Sequence, residues 1–251
     1  MYVFITGASS GLGQALAQHY AGLGARLGLS GRRAEALDAL AQRLPGEHRC
    51  YPLDVRDHQA LQAAAADFLA FSGGRIDVVI ASAGISAGTL TEEADDLEVF
   101  QAIFDTNVMA TVATFAPFIG PMKAAAGGRL VGIASVAGVR GLPGAGAYSA
   151  SKSAVVTYCE SLRLELAASG VRVVTIAPGY IDTPMTRHNP YRMPFLMAPD
   201  AFARRAAAAI AGGASYRVIP WQMGVVAKLM RLLPNAVYDR LARNAPRKPR
   251  R

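Results

Sequence analysis

The sequence predicts an α/β fold with a doubly wound, mainly seven-stranded parallel sheet, helices on both faces and a C-terminal helical extension. Short apolar runs alternate with Ala-rich helical patterns, which is typical of a parallel sheet covered by helices. Continuous apolar runs such as Val78-Val79-Ile80 indicate strands that are buried on both faces. With 251 residues, of which 52% are hydrophobic and 18% charged, the chain can stabilise its own core, and its composition excludes a disordered protein.

The predicted elements alternate in order along the chain. Apolar runs predict strands at residues 2–6, 26–30, 49–53, 78–82, 129–135, 171–177 and 216–219. Helical periodicity predicts helices near residues 12–23, 34–43, 58–71, 96–125, 148–168 and 200–211. We predict a single domain over residues 1–220, in which the Pro- and Met-rich segment 183–199 is a lid. A basic amphipathic extension over residues 221–251 follows it.

Composition and charge exclude several classes of protein. Two cysteines are too few for a disulfide scaffold, and the four histidines show no ligand spacing, so we predict no metal site. Because the first strand starts at Tyr2 and no run of about 18 uninterrupted apolar residues occurs, we expect neither a leader peptide nor a membrane-spanning helix. Residues 221–251 contain eight basic residues and one acidic residue, a net charge of +7 out of +8. The nearly neutral main domain therefore argues against nucleic-acid binding.

A glycine-rich turn joins the first strand to the first helix. It reads Thr6-Gly7-Ala8-Ser9-Ser10-Gly11-Leu12-Gly13. Glycines at such a turn let the backbone approach a pyrophosphate, which then lies at the positive end of the helix. The spacing is G-x-x-x-G-x-G, and its position between a strand and a helix supports a dinucleotide site. A tight structural turn is the alternative.

The residues after the second strand favour NADP(H) over NAD(H). An NAD site places Asp or Glu there to bind the ribose 2′-hydroxyl. The chain instead has Arg32 and Arg33, and no acidic residue occurs between Gly7 and Arg33. A guanidinium group matches a 2′-phosphate in charge and in the geometry of its donors. The alternative is that the two arginines are solvated residues at the start of a helix.

A tyrosine and a lysine four residues apart open the long helix after the fifth strand. Tyr148 and Lys152 project from one face of that helix. An ammonium group close to a phenol stabilises the phenolate and lowers the pKa of the tyrosine. Such a phenol can transfer a proton to a carbonyl oxygen. Ser135, at the end of the preceding strand, can share that oxygen.

Together these motifs resemble the short-chain dehydrogenase/reductase family in its compact, single-domain form, over about residues 1–215. The resemblance implies a Rossmann-type fold and a catalytic tetrad of Asn107, Ser135, Tyr148 and Lys152. In such a tetrad Tyr148 is the general acid and base, Lys152 tunes it and binds the nicotinamide ribose, and Ser135 polarises the carbonyl. Asn107 shapes its helix and carries a water toward Lys152.

The resemblance also implies the residues that contact the cofactor. Asp54, in Leu53-Asp54-Val55, corresponds to an adenine-contacting aspartate, and Pro178-Gly179 to a motif on the nicotinamide side. Ser82 stands where the family usually has Asn, so we expect a less rigid but active site. The full predicted cofactor set is Gly7, Ser9, Ser10, Gly11, Leu12, Gly13, Arg32, Arg33, Asp54, Val55, Ser82, Ala83, Gly84, Asn107, Tyr148, Lys152, Pro178, Gly179, Ile181 and Thr183.

These observations predict a cytoplasmic NADP(H)-dependent oxidoreductase that interconverts a carbonyl and an alcohol. Met and aromatic residues in the lid favour a small apolar substrate, although they could equally pack the lid onto the body. A non-catalytic NADP(H)-binding sensor, or an interaction protein at a membrane surface, is the alternative.

The extension leaves two structural readings open. Its apolar residues at helical spacing predict a helix docked on this chain or its partner, with Leu229, Leu232 and Leu233 in the contact. We expect weak attraction to anionic lipid only at the terminal basic cluster, which makes the protein peripheral to the membrane at most. The length of the extension predicts a homodimer through the helices that begin near Leu97 and Tyr148.

Overall fold

Seven parallel strands form one sheet in the computed structural model, which describes residues 1–187, 189–245 and 247–250. The strands are β1 (Tyr2–Thr6), β2 (Arg26–Gly31), β3 (His48–Pro52), β4 (Val78–Ala81), β5 (Arg129–Ile133), β6 (Arg172–Pro178) and β7 (Tyr216–Ile219). Their order in the sheet is β3-β2-β1-β4-β5-β6-β7. The predicted Rossmann-like architecture is therefore confirmed, and each strand end lies within two residues of its predicted position.

Helices cover both faces of this sheet. They are α1 (Gly11–Gly22), α2 (Ala34–Arg43), α3 (His58–Phe71), α4 (Asp96–Phe104), α5 (Ala110–Ala124), α6 (Gly146–Glu165), α7 (Pro199–Ala211), α8 (Trp221–Leu232) and α9 (Asn235–Ala242). The prediction of one uniform helix over residues 96–125 is wrong in one detail, because a π-helical turn over Asp105–Met109 separates α4 from α5. Helix α6 begins two residues before Tyr148, the predicted start.

Alternation along β1 divides the core between the two faces. Val3 and Ile5 point to the face covered by α1, α2 and α7. Phe4 points to the other face, where its ring lies 5.6 Å from that of Phe68 and 5.0 Å from that of Phe118. Because all three rings are fully buried, each contributes on the order of 1.5–3 kcal/mol to the free energy of folding. This double burial explains why the central strands are apolar throughout.

The continuous helical segment Asp96–Ala124 is long and apolar enough, by length and composition, to cross a membrane. Core helices meet the same criterion, and Phe115, Phe118 and Met122 of this segment are fully buried in the second face of the core. Core packing accounts for the apolar composition of this segment, and the expectation that no helix spans a membrane stays a prediction.

The extension packs on its own chain through a different face of α8 than predicted. Met223 and Ala227 are buried beside β7. Leu229 and Leu232 are exposed, Leu232 by 80%, so the prediction that these two leucines contact their own chain is wrong, whereas contact with a partner chain stays a prediction. The reason is that α8 packs against β7 through the flexible Met223 and the small Ala227, so its bulkier apolar residues lie on the outer face.

The strand order places a crevice at the carboxyl ends of β1 and β4. The chain leaves β1 toward β2 on one side, whereas β4 continues the sheet on the other. Connections that diverge from two neighbouring strands leave open space between them, and ligands of doubly wound sheets bind there.

Candidate active site

A cavity of about 990 Å³ lies in this crevice and brings the predicted site residues together. Ser135 and every predicted cofactor residue except Asn107 line it. The residues come from the ends of β1, β2, β4, β5 and β6, from the segment after β3 and from the first turns of α1 and α6. Asn107 is only 1% exposed and lies behind the lining.

The glycine-rich turn crosses the end of β4 at close range. Gly7 has φ +70°, and a Cβ at this position would lie 2.8 Å from the backbone of Ala83, so the turn requires glycine. Helix α1 then begins with no side-chain cap on its first turn and no acidic residue there. Its first N–H groups are therefore available to an anion at the positive end of the helix, which fits the pyrophosphate of a dinucleotide.

The hydroxyl group of Thr6 holds the ends of β1 and β4 together. It accepts hydrogen bonds from the backbone N–H of Ser82 at 3.2 Å and of Ala83 at 3.3 Å. Ser82 itself replaces the asparagine that is usual in the family. The cross-link from Thr6 gives this junction a direct connection that does not depend on the side chain of residue 82.

Two arginines that follow β2, Arg32 and Arg33, line the cavity. Arg33 donates from Nη2 to the carbonyl oxygen of Ser9 at 2.9 Å, which ties it to the glycine-rich turn. Arg32 is exposed at the cavity wall, and its charge contributes to lowering the pKa of Asp54. Since Arg33 already has a backbone partner, Arg32 is the better placed of the two to bind a phosphate.

Asp54 has a partner that the sequence did not indicate. Arg56 donates to both carboxylate oxygens of Asp54 at 2.7–3.1 Å, and its backbone N–H donates to the same group. The hydrogen bond from Arg56 is the main reason why the pKa of Asp54 lies below its usual value. Asp54 and Arg56 are two positions apart in the sequence. That spacing is too common to predict an ion pair.

Ser135, Tyr148 and Lys152 meet at the carboxyl end of β5. The ammonium of Lys152 donates to the carbonyl oxygen of Ile133 at 2.8 Å and lies 5.9 Å from the centre of the Tyr148 ring. Ser135 lies close enough to Tyr148 to lower the pKa of the phenol, and its Oγ accepts from the N–H of Ala137 at 3.1 Å. A hydroxyl and a phenol therefore lie side by side, as a shared carbonyl oxygen would require.

Burial changes the acidity of both titratable groups in this cluster. It raises the pKa of Tyr148, which the nearby Ser135 partly opposes. It lowers the pKa of Lys152 to about 8. The expectation that Lys152 lowers the pKa of Tyr148 is wrong for the protein by itself, because removal from water disfavours the phenolate more than the surrounding groups stabilise it.

Asn107 lies inside the π-helical turn between α4 and α5. Its Oδ1 accepts from the N–H of Ile85 at 2.9 Å, and its Nδ2 donates to the carbonyl oxygen of Ile85 and to Oγ of Ser151, each at 3.0 Å. The extra residue of a π turn widens the helix locally, and such turns recur at functional sites. Asn107 thereby connects the segment after β4 to α6.

The far wall of the cavity consists of the end of β6 and the start of segment 183–199. Ile181 pairs with Met197, and the hydroxyl of Thr186 closes a turn with Ile181 and Thr183. Met185 and Asn189 also line the cavity. His188 lies outside the described residues.

Three residues from the end of the chain also line the cavity, although sequence reasoning treated them as part of a tail. They are Lys248, Pro249 and Arg250. Their contacts join residues more than 150 positions apart, as between Lys248 and Ser86, so no local pattern could have indicated them.

The fold and this cavity define an oxidoreductase with a dinucleotide crevice, and comparison with known proteins identifies the family. A family model described as short chain dehydrogenase matches residues 1–192. An uncharacterized oxidoreductase of Myxococcus xanthus is 38% identical over 95% of each chain. Sulfoacetaldehyde reductase 2 of Chromohalobacter salexigens is 37% identical over 73% of this chain and 74% of its own. A short-chain dehydrogenase structure from Burkholderia cenocepacia in complex with NADP has a TM-score of 0.82 at 27% identity and covers 96% of both chains.

The chain belongs to the short-chain dehydrogenase family. It is an oxidoreductase of the type that acts on alcohols and carbonyl compounds, with a nicotinamide dinucleotide as cofactor. The relatives named here are oxidoreductases, so the alternative of a non-catalytic sensor receives no support.

We predict that Lys152→Met alters the pH dependence of stability. The pKa of Lys152 is about 8 in the folded protein against 10.5 in the unfolded chain, so below pH 8 the lysine is charged in both states. Between about pH 8 and 10.5 Lys152 is protonated in the unfolded chain but deprotonated in the folded protein. Because the unfolded state then binds more protons, the free energy of unfolding of the wild type increases with pH, and that of the variant lacks this contribution. From pH 7 to 10 this relative gain is about 2–3 kcal/mol.

Urea denaturation of both proteins at pH 7, 8.5 and 10 measures this difference, with Lys123→Met, at an exposed position, as the matched control. A constant difference between the wild type and Lys152→Met over this range would contradict the lowered pKa.

Proposed function

We propose that the protein is an NADP(H)-dependent enzyme that interconverts a carbonyl and a primary or secondary alcohol. The observation that carries this proposal is that Ser135, Tyr148 and Lys152 line the same cavity as the glycine-rich turn and Arg32. One cavity thus contains a proton donor for a carbonyl and a cradle for a dinucleotide phosphate. Residues 1–220 are the proposed catalytic domain, and residues 183–199 the proposed lid.

Four side chains have roles in the proposed mechanism. The nicotinamide, when bound, supplies hydride to the carbonyl carbon or accepts it from the alcohol. Ser135 donates a hydrogen bond to the substrate oxygen and fixes its position beside Tyr148. Tyr148 gives its phenolic proton to that oxygen in reduction and takes it back in oxidation. Lys152 neutralises the phenolate, and Asn107 keeps Ile85 and α6 in register behind it.

The raised pKa of Tyr148 suits the reductive direction at neutral pH, because the phenol then carries the proton that reduction consumes. Oxidation requires the phenolate. We therefore propose that alcohol oxidation becomes faster as the pH increases into the alkaline range.

We predict that Tyr148→Phe abolishes turnover and leaves NADPH affinity within a few-fold. The substitution removes the proton donor and keeps the ring, and loss of a general acid lowers kcat by about 10²–10⁴-fold. NADPH absorbance with a panel of aldehydes and ketones measures the rate, and fluorescence titration measures cofactor binding. Tyr158→Phe, on the same helix, is the matched control. Retention of more than about a tenth of the wild-type rate would require a different acid.

The preference for NADPH over NADH is proposed from Arg32 and from the absence of an acidic residue among positions 7–33. We predict that the wild type binds NADPH more tightly and that Arg32→Ala weakens NADPH binding about 10- to 100-fold with little effect on NADH. Titration of each cofactor into both proteins tests this, with Arg43→Ala, at an exposed position on α2, as control. Equal affinities in the wild type would overturn the assignment.

We propose that the body of the substrate is apolar where it meets the lid. Met185 of the lid contributes to the cavity lining, and the rings of Tyr180 and Tyr191 meet edge to face nearby at 6.4 Å. Methionine and aromatic side chains adapt to irregular apolar surfaces. KM can be measured for a homologous series of aldehydes. If the substrate is apolar where it meets the lid, KM should decrease as the aldehyde chain becomes longer.

We propose a homodimer in the cytoplasm that forms through α4 and α6. Leu97 on α4 is 73% exposed and Leu164 on α6 is 65% exposed, and these two helices pack side by side. Exposed apolar residues on neighbouring helices are typical of a surface that a second copy covers. Light scattering of the purified protein measures the mass.

A weak peripheral contact with anionic membranes is proposed for α8 instead of the terminal basic cluster, because Lys248 and Arg250 bind within the chain. The outer face of α8 exposes an apolar stripe beside Lys228, formed by Trp221, Val225, Leu229 and Leu232. We predict that the protein sediments with phosphatidylglycerol vesicles at low salt, is released as salt screens the charges, and loses this association in Leu232→Glu. Absence of binding to the vesicles at low salt would contradict the proposed membrane contact of α8.

A further inference from the structure

The C-terminal segment, residues 247–250, returns from the extension to the cavity and lies flush against the loop after β4. The N–H of Gly88 donates to the carbonyl oxygen of Pro249 at 3.0 Å. A Cβ at Gly88 would collide with the backbone of Lys248 and Pro249, so this close approach requires glycine. The segment thereby forms one wall of the cavity that Ser135 and Tyr148 also line.

Ion pairs of Arg250 anchor the segment, and one of the two carboxylates, Asp96, is buried. Arg250 binds Asp96 at 3.0 Å and Glu93 at 3.1 Å. The Asp96 side chain is only 7% exposed and also accepts from the N–H of Leu90 at 2.7 Å. Loss of a partner from a carboxylate in such a position is costly, so the pairing holds the segment in place.

The rest of the extension is fixed to the opposite loop, which follows β5. Arg140 of that loop donates to the carbonyl oxygens of Met230 and Leu233, each at 3.0 Å. Tyr238 in turn donates to the carbonyl oxygen of Gly141 at 2.6 Å. The extension is therefore bound to both loops that border the substrate side of the cavity.

The ammonium group of Lys248 points into this space. It donates to Oγ of Ser86 at 2.7 Å and lies 5.7 Å from the centre of the Tyr148 ring, whereas Lys152 lies 5.9 Å from the same ring. Among the described residues that line the cavity, Asp54 is the one carboxylate, and Arg56 pairs with it after β3. Two ammonium groups therefore lie near the ring of Tyr148 at the substrate side of the cavity.

We propose that Lys248 is a specificity-determining residue that binds an anionic group of the substrate, such as a carboxylate. This inference rests on the proposed function and names its substrate class: a carbonyl compound, or the corresponding alcohol, with an anionic group at one end and an apolar body against the lid. With the carbonyl oxygen at Ser135 and Tyr148, the anionic group lies toward Ser86 and accepts a charge-assisted hydrogen bond from Lys248.

Pairs of acids and esters test the proposal. NADPH oxidation is measured with 4-carboxybenzaldehyde and methyl 4-formylbenzoate, and with 4-oxobutanoate and its methyl ester. We expect the wild type to prefer each acid, and Lys248→Met to lose about 10- to 100-fold in kcat/KM for the acids while the esters change less than about threefold. Lys228→Met, which removes an exposed charge from α8, should leave every ratio unchanged.

A second variant displaces residues 247–250, which form the cavity wall, without changing their charge. Gly88→Ala displaces Lys248 and Pro249, so it should reduce the preference for acids while Lys248 is still present. Wild-type preference for the esters, or an equal loss for acid and ester in Lys248→Met, would overturn the proposal while the carbonyl reduction itself stands.

If the proposed function itself is wrong, the wild type should reduce none of the four aldehydes. In that case calorimetry of benzoate binding to the protein loaded with NADP⁺ decides the matter independently. A loss of about tenfold or more in benzoate affinity in Lys248→Met, absent in Lys228→Met, would support the anionic site. Equal affinities in the three proteins would overturn it.

Discussion

The junction between β1 and β4 is the constraint on which the rest of the site depends. These strands are neighbours, but the chain departs from them toward opposite edges of the sheet, and the crevice exists only because of that divergence. The hydroxyl of Thr6 and the absence of a side chain at Gly7 let the two strand ends lie in direct contact. The phosphate cradle then follows from β1, and the loop that carries Ile85, Ser86 and the wall of the substrate side follows from β4.

Removal from water determines the chemistry that this crevice can perform. Burial favours the uncharged form of each side chain. It therefore raises the pKa of the Tyr148 phenol and lowers the pKa of the Lys152 ammonium. Ser135 beside Tyr148, and the carbonyl oxygen of Ile133 beside Lys152, stabilise the charged forms only in part. A bound cofactor and substrate would place further polar groups beside both side chains.

The sequence predicts the parts of this arrangement that depend on local pattern. Alternating apolar runs and helical periodicity define the sheet and its layers, and the glycine-rich turn and the Tyr148–Lys152 spacing place two functional groups on known elements. The π-helical turn at Asn107 could not be predicted, because its periodicity differs from that of an α-helix by one residue in a run of apolar side chains. The Asp54–Arg56 pair and the position of Lys248 could not be predicted either, since each depends on backbone geometry or on contacts between distant parts of the chain.

The parallel sheet separates the two ends of the polypeptide. Met1 precedes β1 and therefore lies at the amino edge of the sheet, opposite the cavity, whereas Arg250 is fixed at the rim of the cavity by Glu93 and Asp96. The partners of Lys248 and Arg250 lie more than 150 positions earlier in the chain, so this wall of the cavity forms only when contacts with a high loop-closure entropy are made.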